Sequence, residues 1–457
     1  MNYEEFLDDK AQLGALSGFE PLWMPGFLFD FQRSLLEWSI TKGKSAIFAD
    51  CGLGKTPMQL TWAQNVVQKT NKPALILAPL AVAGQTVREG AKFGIEVTKS
   101  QDGLLRGGKL IVANYERLHY FNPNDFSGVV CDESSILKNF DGVTRAAITQ
   151  FMRKIPYRLL CTATAAPNDY IELGTSSEAI GEMGYMDMLG RFFKANNGSL
   201  HPMHHVRAIQ GDKWRFRGHA EHDFWSWVCS WARAVRKPSD LGFDDGEFVL
   251  PELIERQHVV HANARADGYL LDLPAVGLQE QRQERRRSIQ ERCEMAAKLV
   301  AERDGASVAW CNLNDEGDLL SGMIPGAKQI TGTMDDDEKE ELFEAFSSGQ
   351  LIKLVTKPVI ASLGLNWQHC AHQTWFPSHS FEQMYQGVRR SWRFGQKNAV
   401  TVDIVTSEGE ANVLQNLQRK QAAAEVMFAK LVELMNHELR IKKANNFNHE
   451  LTQPAWI

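Results

Sequence analysis

SAIFADCGLGKT (45–56) and the stretch TPMQLTWAQNVVQKT (56–70) that it runs into decide the reading of the first half of the chain. An aliphatic run of strand length ends on a glycine-rich turn. Lys55 and Thr56 then open a segment with no helix breaker after Pro57. Strand, glycine loop and helix in this order are the context of a phosphate-binding loop. Without side chains at Gly52 and Gly54, the backbone N–H groups of the cradle, Leu53 included, can close on phosphate oxygens. The helix start adds free donors and partial positive charge. In such a loop Lys55 reaches the terminal phosphates and Thr56 holds Mg²⁺. Ala49 stands at the first glycine of the usual pattern. Pro57 suits the first helical turn, where its missing N–H costs little.

Further along the chain, ALILAPL (74–80), KLIVANYE (109–116), GVVCDE (128–133) and YRLLCTAT (157–164) are apolar runs of strand length. Continuous apolar character, without alternation, predicts strands buried on both faces of a parallel sheet. The pattern pauses over 168–290, where Trp, His, Arg and Gly are frequent. The charged segment 279–305 predicts a helix. Apolar runs resume at SVAWCNLN (307–314), AKQITG (327–332), IKLVTKP (352–358), QTWFP (373–377) and VTVDIVT (400–406). The result is an α/β chain with two units. The expected division is 1–167 for the N-terminal segment and first lobe and 168–290 for an insertion and linker. Residues 291–435 form the second lobe with a C-terminal helix, and 436–457 a polar tail.

GVVCDESS sets Asp132 and Glu133 at the end of a buried strand. Two adjacent acids there are unfavourable unless a cation or hydrogen bonds compensate. Downstream of a phosphate loop, Asp132 is expected to contact Mg²⁺ and Glu133 to polarise the attacking water. Strand C-terminal ends are also where open α/β sheets bind ligands.

DESSILKN (132–139) resembles the second motif of superfamily two ATPases, and its Leu-Lys-Asn tail (137–139) is similar to the Swi/Snf-type branch. Ser134 and Ser135 stand where that motif often has Ala-His. The resemblance implies two RecA-like lobes with parallel sheets and an ATP cleft between them. It places Lys138 near DNA or the lobe interface. Leu28-Phe29-Asp30-Phe31-Gln32 resembles an adenine-recognising motif, with Gln32 as reader and Phe31 as a packing ring. Leu77-Ala78-Pro79 and Asn114-Tyr115-Glu116 resemble loops that touch nucleic-acid backbone. Thr162-Ala163-Thr164 resembles the motif coupling hydrolysis to DNA contact.

In the second half, IASLGLNWQHC (360–370) resembles the Gly-x-Gly-Leu-Asn motif, with Ser362 for its first glycine and Gly364 and Asn366 as backbone contacts. QMYQGVRRSWRFGQ (383–396) resembles the remodeller signature, with Gln386, Arg390, Arg393, Gly395 and Gln396 in register. A planar, permanently charged guanidinium can span the oxygens of a phosphoryl group in transfer. Arg393 is expected as the main finger, with Arg390 and Gln386 beside it.

The 457 residues carry a formal net charge of −6, so any nucleic-acid surface must be a local basic track. Seven cysteines without a Cys-x-x-Cys pair, and an acidic N-terminus without an apolar core, predict a reduced, cytoplasmic setting. No apolar run is long enough to span a bilayer. KWRFRGH (213–219) interleaves arginine with aromatic rings and suits either nucleic acid or packing. Phe224, Trp227, Val228 and Trp231 recur at helical intervals and predict a core-facing helix. His201, His204, His219 and His222 have no cysteine beside them, so zinc is not expected. The leading expectation is an ATP- and Mg²⁺-dependent translocase on duplex DNA. Its rivals are a strand-separating DNA or RNA helicase and an ATP-gated recruitment module. The sequence contains no nuclease or methyltransferase motif, and such a partner would come from another chain.

Overall fold

The computed structural model describes residues 16–138, 142–166, 170–195, 214–261, 278–361, 365–378 and 380–445. Strands β1 (Lys44–Ala49), β2 (Ala74–Ala78), β3 (Thr98–Lys99), β4 (Leu110–Asn114), β5 (Gly128–Asp132) and β6 (Tyr157–Cys161) pair in parallel in the first sheet. A separate antiparallel ribbon joins β7 (Phe193–Ala195) to β8 (Trp214–Phe216). Strand β9 (Ala232–Val235) then returns to the first sheet beside β1, giving the order β3-β4-β2-β5-β6-β1-β9. The second sheet holds β10 (Leu253–Val260), β11 (Ser307–Trp310), β12 (Lys328–Ile330), β13 (Lys353–Thr356), β14 (His372–Trp375) and β15 (Val400–Ser407). It is also parallel, in the order β10-β15-β14-β11-β13-β12.

The strands are apolar on both faces because both faces are covered. Ala46 and Phe48 of β1 join one apolar cluster, and Ile47 and Ala49 join another, as the two-residue period requires. In the second sheet Val308 and Trp310 face one cluster while Ala309 and Cys311 face the other. The protein is thus α/β, with one parallel sheet in each of two lobes.

Five helices matter for the site and for the contact between lobes. They are α1 (Asp30–Lys42), α2 (Lys55–Thr70), α3 (Ala220–Trp231), α4 (Phe381–Ser391) and α5 (Ala411–Asn445). Helix α2 starts on Gly54 in the left-handed region and ends on Asn71, also left-handed, whose N–H closes on the Val67 carbonyl at 2.8 Å. Phe224, Trp227, Val228 and Trp231 are buried along α3, the face expected from their spacing.

Residues 168–290, expected as an insertion and linker, supply a strand to each sheet: β9 to the first and β10 to the second. The charged segment is two helices, Leu278–Arg287 and Ile289–Ala301, interrupted at Ser288. Helix α5 continues past residue 435 to Asn445. It also leaves the second lobe: Met427, Phe428 and Leu431 are buried in the first lobe's core, and Arg236 lies over the Phe428 ring at 4.7 Å. Each such apolar side chain contributes roughly 1.5–3 kcal/mol, so α5 is a strap across both lobes. Among the described residues no helix is long and apolar enough to cross a membrane.

Candidate active site

A cavity of about 480 Å³ lies where the first lobe's glycine loop, around Gly52 and Gly54, meets the second lobe. That is the size of an ordinary small-molecule site. The first lobe lines it with Gln32, Gly52, Gly54, Lys55, Thr56, Asp132 and Glu133. The second contributes Asn366, Arg390 and Arg393.

The loop is built as its sequence requires. Gly52 and Gly54 both have positive φ, 88° and 74°, where a side chain is strained. There is a second reason for glycine. A Cβ at Gly54 would come within 2.3 Å of Gln32 Nε2, and one at Gly52 within 2.8 Å of the Phe394 backbone nitrogen. The loop is therefore pressed against α1 on one side and the second lobe on the other. Leu53 is buried, and its carbonyl accepts Gln32 Nε2 at 2.8 Å, while Gln32 Oε1 accepts the Phe29 N–H at 3.1 Å. Lys55 Nζ donates to the Ala49 carbonyl at 3.0 Å.

Asp132 and Glu133 are buried side by side, and Glu133 takes a left-handed φ of 49°, rare for a residue with a side chain. Burial pushes both carboxyls above their usual range, and Lys55 opposes that rise in each. Gln59 Nε2 donates to Asp132 Oδ1 at 2.6 Å and fixes its orientation. Opposite them, the Leu365 carbonyl accepts both Arg390 Nη1 at 3.0 Å and Arg393 Nη1 at 3.1 Å. Burial, and then the neighbouring Arg390, push Arg393 down to about 10. The Arg393 Nε is buried without a hydrogen-bond partner. Crowded, desolvated cations of this kind favour an anion beside them.

Phe27, Phe29, Phe93, Phe248 and Phe394 give the cavity an aromatic lining. Phe27 stacks on Phe93 at 4.5 Å and Phe248 on Phe394 at 4.7 Å. Phe31 is behind this wall, buried against Phe248 at 5.1 Å. Apolar rings, glycine-loop backbone and the cations Lys55, Lys92, Arg390 and Arg393 together make a lining that could take a phosphorylated ligand. Thr56 and Asp132 both line the cavity and are the residues that could hold a divalent cation there. Among the described residues no group of three or more His, Cys, Asp or Glu could hold a metal. Magnesium held by one hydroxyl, one carboxylate and phosphate oxygens needs no such group.

The other expected residues lie nearby. Gln386 lines a second inter-lobe cavity of about 530 Å³, together with Asn114, Lys138 and Glu133. It precedes Arg390 by one helical turn, about 6 Å along the axis, which carries it away from the glycine loop. Its Nε2 donates to Thr164 Oγ1 at 3.2 Å, and Lys138 is ion-paired with Glu382 of α4. Asn366, expected on nucleic acid, lines the glycine-loop cavity. Gly364, Ser362, Asn139, His201 and His204 lie outside the described residues. In KWRFRGH the Phe216 ring stacks on Phe193 at 4.6 Å and Trp214 packs on the first-lobe core, while Arg215 is exposed. Gln59, Asp50, Tyr385, Arg389 and the rings at 27, 93, 248 and 394 also stand at or beside the site, and none is a defining position of the motifs above. The only signal for Asp50 was a carboxylate at a strand end.

No protein-family model matches the chain, and no curated protein matches it by sequence.

Proposed function

We propose that the protein hydrolyses ATP in the phosphate-loop cavity and uses the cycle to move along duplex DNA, as a compact relative of the Swi/Snf branch of superfamily two. The observation that carries this reading is the division of one cavity between two lobes. Lys55, Thr56, Asp132 and Glu133 come from the first, Arg390 and Arg393 from the second. In this reading Lys55 and the two arginines neutralise charge on the phosphoryl group in transfer. Glu133, with its carboxyl raised by burial, is suited to accept a proton from the attacking water. Magnesium would supply further neutralisation between the phosphates, held by Thr56 and Asp132. The phenylalanine lining takes the base, with Gln32 holding the loop beside it. Because the cations come from different lobes, turnover requires the lobes to be together, and a cycle of closure is what a motor needs.

The second cavity, lined by Asn114, Lys138 and Gln386, is the candidate path for the nucleic-acid backbone. Glu133 lines both cavities, so the hydrolytic acid and the track share a wall. The test is the rate of ATP hydrolysis with duplex DNA, single-stranded DNA, RNA or nothing added. Stimulation by duplex DNA supports the proposal. Turnover indifferent to every nucleic acid favours the ATP-gated recruitment module, and no turnover at all removes the ATPase reading.

A further inference from the structure

Asp50 follows the last residue of β1 at the point where the chain turns into the phosphate loop, yet it is not among the residues lining the cavity. Its carboxylate is turned to the second lobe. Oδ1 accepts the Cys51 N–H of its own loop at 2.7 Å and the Tyr385 hydroxyl of α4 at 2.6 Å. Oδ2 is ion-paired with Arg389, whose guanidinium also reaches the Cys51 carbonyl at 3.4 Å. Both partners are buried, Asp50 at 6% exposure and Arg389 at 4%. Arg389 is held from behind by the Trp392 ring at 4.8 Å and the Trp392 carbonyl at 3.2 Å. Two residues further along, Gly52 meets the Phe394 backbone so closely that no Cβ fits. The loop is therefore pinned both to α4 and to the chain just past its end.

We infer that Asp50 is a positioning residue: through Arg389 and Tyr385 it sets the register of α4 against the phosphate loop, so that Arg390 and Arg393 enter the cavity in one geometry. The inference rests on the ATPase reading above. A buried ion pair is weak evidence for stability, because desolvating two charges offsets most of their attraction. Its effect here is on registry. Arg389 adjoins Arg390 in a helix, where successive residues are fixed about 100° apart, so anchoring one orients the other. The pair also draws both peptide groups flanking Cys51 into the contact, through the Cys51 N–H and the Cys51 carbonyl.

The test uses the full chain with Asp50→Asn, Tyr385→Phe and the double variant Asp50→Asn/Arg389→Gln. ATP turnover is measured beside the affinity for MgADP and a melting curve. Asp50→Asn should lower kcat roughly tenfold or more, as misplacement of catalytic groups does, and leave MgADP affinity within about threefold, since the cradle is intact. Tyr385→Phe, which removes one hydroxyl and should fold normally, should lower kcat by a smaller factor with the same split. The double variant should recover part of the loss, because an amide pair leaves no guanidinium buried alone. Unchanged kcat in Tyr385→Phe and Asp50→Asn, or kcat and MgADP affinity falling together, would overturn the inference while leaving the ATPase reading standing. A wild-type chain that binds MgADP but does not hydrolyse ATP would overturn both.

Discussion

The Thr162 hydroxyl lies 3.5 Å from Glu133 Oε2, at the head of a chain of polar contacts that crosses between the lobes. Thr162 Oγ1 accepts the Thr164 N–H at 3.1 Å. The Thr164 hydroxyl in turn donates to Glu382 at 3.2 Å and accepts from Gln386 Nε2 at 3.2 Å. Glu382 is paired with Lys138, on the wall of the second cavity. The acid proposed for hydrolysis is thereby linked to the surface proposed for nucleic acid. Thr164→Val removes the middle of this chain and keeps the shape. Stimulation of turnover by duplex DNA should fall severalfold, about the loss of one or two hydrogen bonds, while turnover without DNA changes less. Equal losses in both would show that the contacts only hold the fold.

Lys55 and Glu133 should fail in different ways. Lys55→Ala removes the cation proposed to meet the phosphates and should abolish both ATP binding and turnover. Glu133→Gln is nearly isosteric and removes only the proton acceptor, so it should bind ATP and hydrolyse it poorly. Equilibrium binding and single-turnover hydrolysis on the two variants check this. A Glu133→Gln chain with wild-type turnover would sink the assignment.

Arg393→Ala should lower kcat by about 10³-fold, the range seen for arginines acting on phosphoryl transfer, with a much smaller effect on ATP affinity. Stability separates the catalytic role from a structural one. Arg393 is half-buried beside Arg390, and desolvation together with that neighbouring charge pushes its pKa down, so removing it relieves like-charge repulsion. The Tm of Arg393→Ala should therefore hold or rise. A fall in Tm parallel to the fall in kcat would make Arg393 a structural residue.

Both sheets were legible because parallel strands covered on two faces leave uninterrupted aliphatic runs, and each run from SAIFAD to VTVDIVT contains a strand. Strands β3, β9 and β10 lie outside those runs. The ARAV of β9 follows α3 with no breaker, and its Ala and Arg residues carry neither strand periodicity nor β-branched character except at Val235. In the site, Lys55, Thr56, Asp132 and Glu133 were legible because local chain geometry brings them to strand ends. The pairing of Asp50 with Arg389 spans more than three hundred residues and depends on how the lobes meet, which no local pattern encodes. The same holds for Phe248 and Phe394, and for Met427, Phe428 and Leu431. The last three read as one face of a C-terminal helix, with nothing to say that the face belongs to the first lobe.

The second lobe should lose stability in acid. Asp403 is buried between two imidazoles, accepting His258 Nε2 at 2.8 Å and His372 Nε2 at 2.9 Å. His372 Nδ1 faces the Ser307 hydroxyl at 3.1 Å, and Lys353 Nζ also contacts that hydroxyl at 3.3 Å. With Nε2 donating to Asp403, Nδ1 is the acceptor, an assignment made from the network. Burial pushes the His372 pKa down. The unfolded chain then takes up a proton below about pH 6.5 that the folded lobe refuses, so stability falls as pH drops through that value. For Asp403, burial works against ionisation, but hydrogen bonds from both imidazoles hold its carboxyl below the usual range. Its contribution is present at neutral pH and is lost at still lower pH. Tm measured between about pH 8 and pH 5 should decline toward acid, and His372→Gln should flatten the part of the decline nearest neutrality. A wild-type Tm independent of pH over that range would contradict the argument.

Duplex DNA should stimulate hydrolysis more than RNA, with little separation of strands. The Leu-Lys-Asn extension after the acidic pair, and the Gln386, Arg390, Arg393, Gly395 and Gln396 register, resemble a branch that tracks along a duplex without splitting it. Backbone contacts should dominate binding. The net charge of −6 leaves no general attraction for a polyanion, so affinity must come from a few local lysines and arginines. It should weaken steeply as salt rises and depend little on base sequence. Strand separation needs a wedge. Among the described residues the candidate is the ribbon of β7 and β8, whose connection, 196–213, lies outside them. Phe193 and Phe216 of that ribbon face each other and the first-lobe core, so at its base the ribbon is anchored and does not present its rings to a fork. A triplex-displacement assay and a forked-duplex assay, both with ATP, distinguish the outcomes. Displacement of the third strand with the fork intact supports duplex translocation. Efficient unwinding of the fork, or stimulation by RNA alone, moves the assignment to a conventional helicase and makes residues 193–216 the first segment to delete.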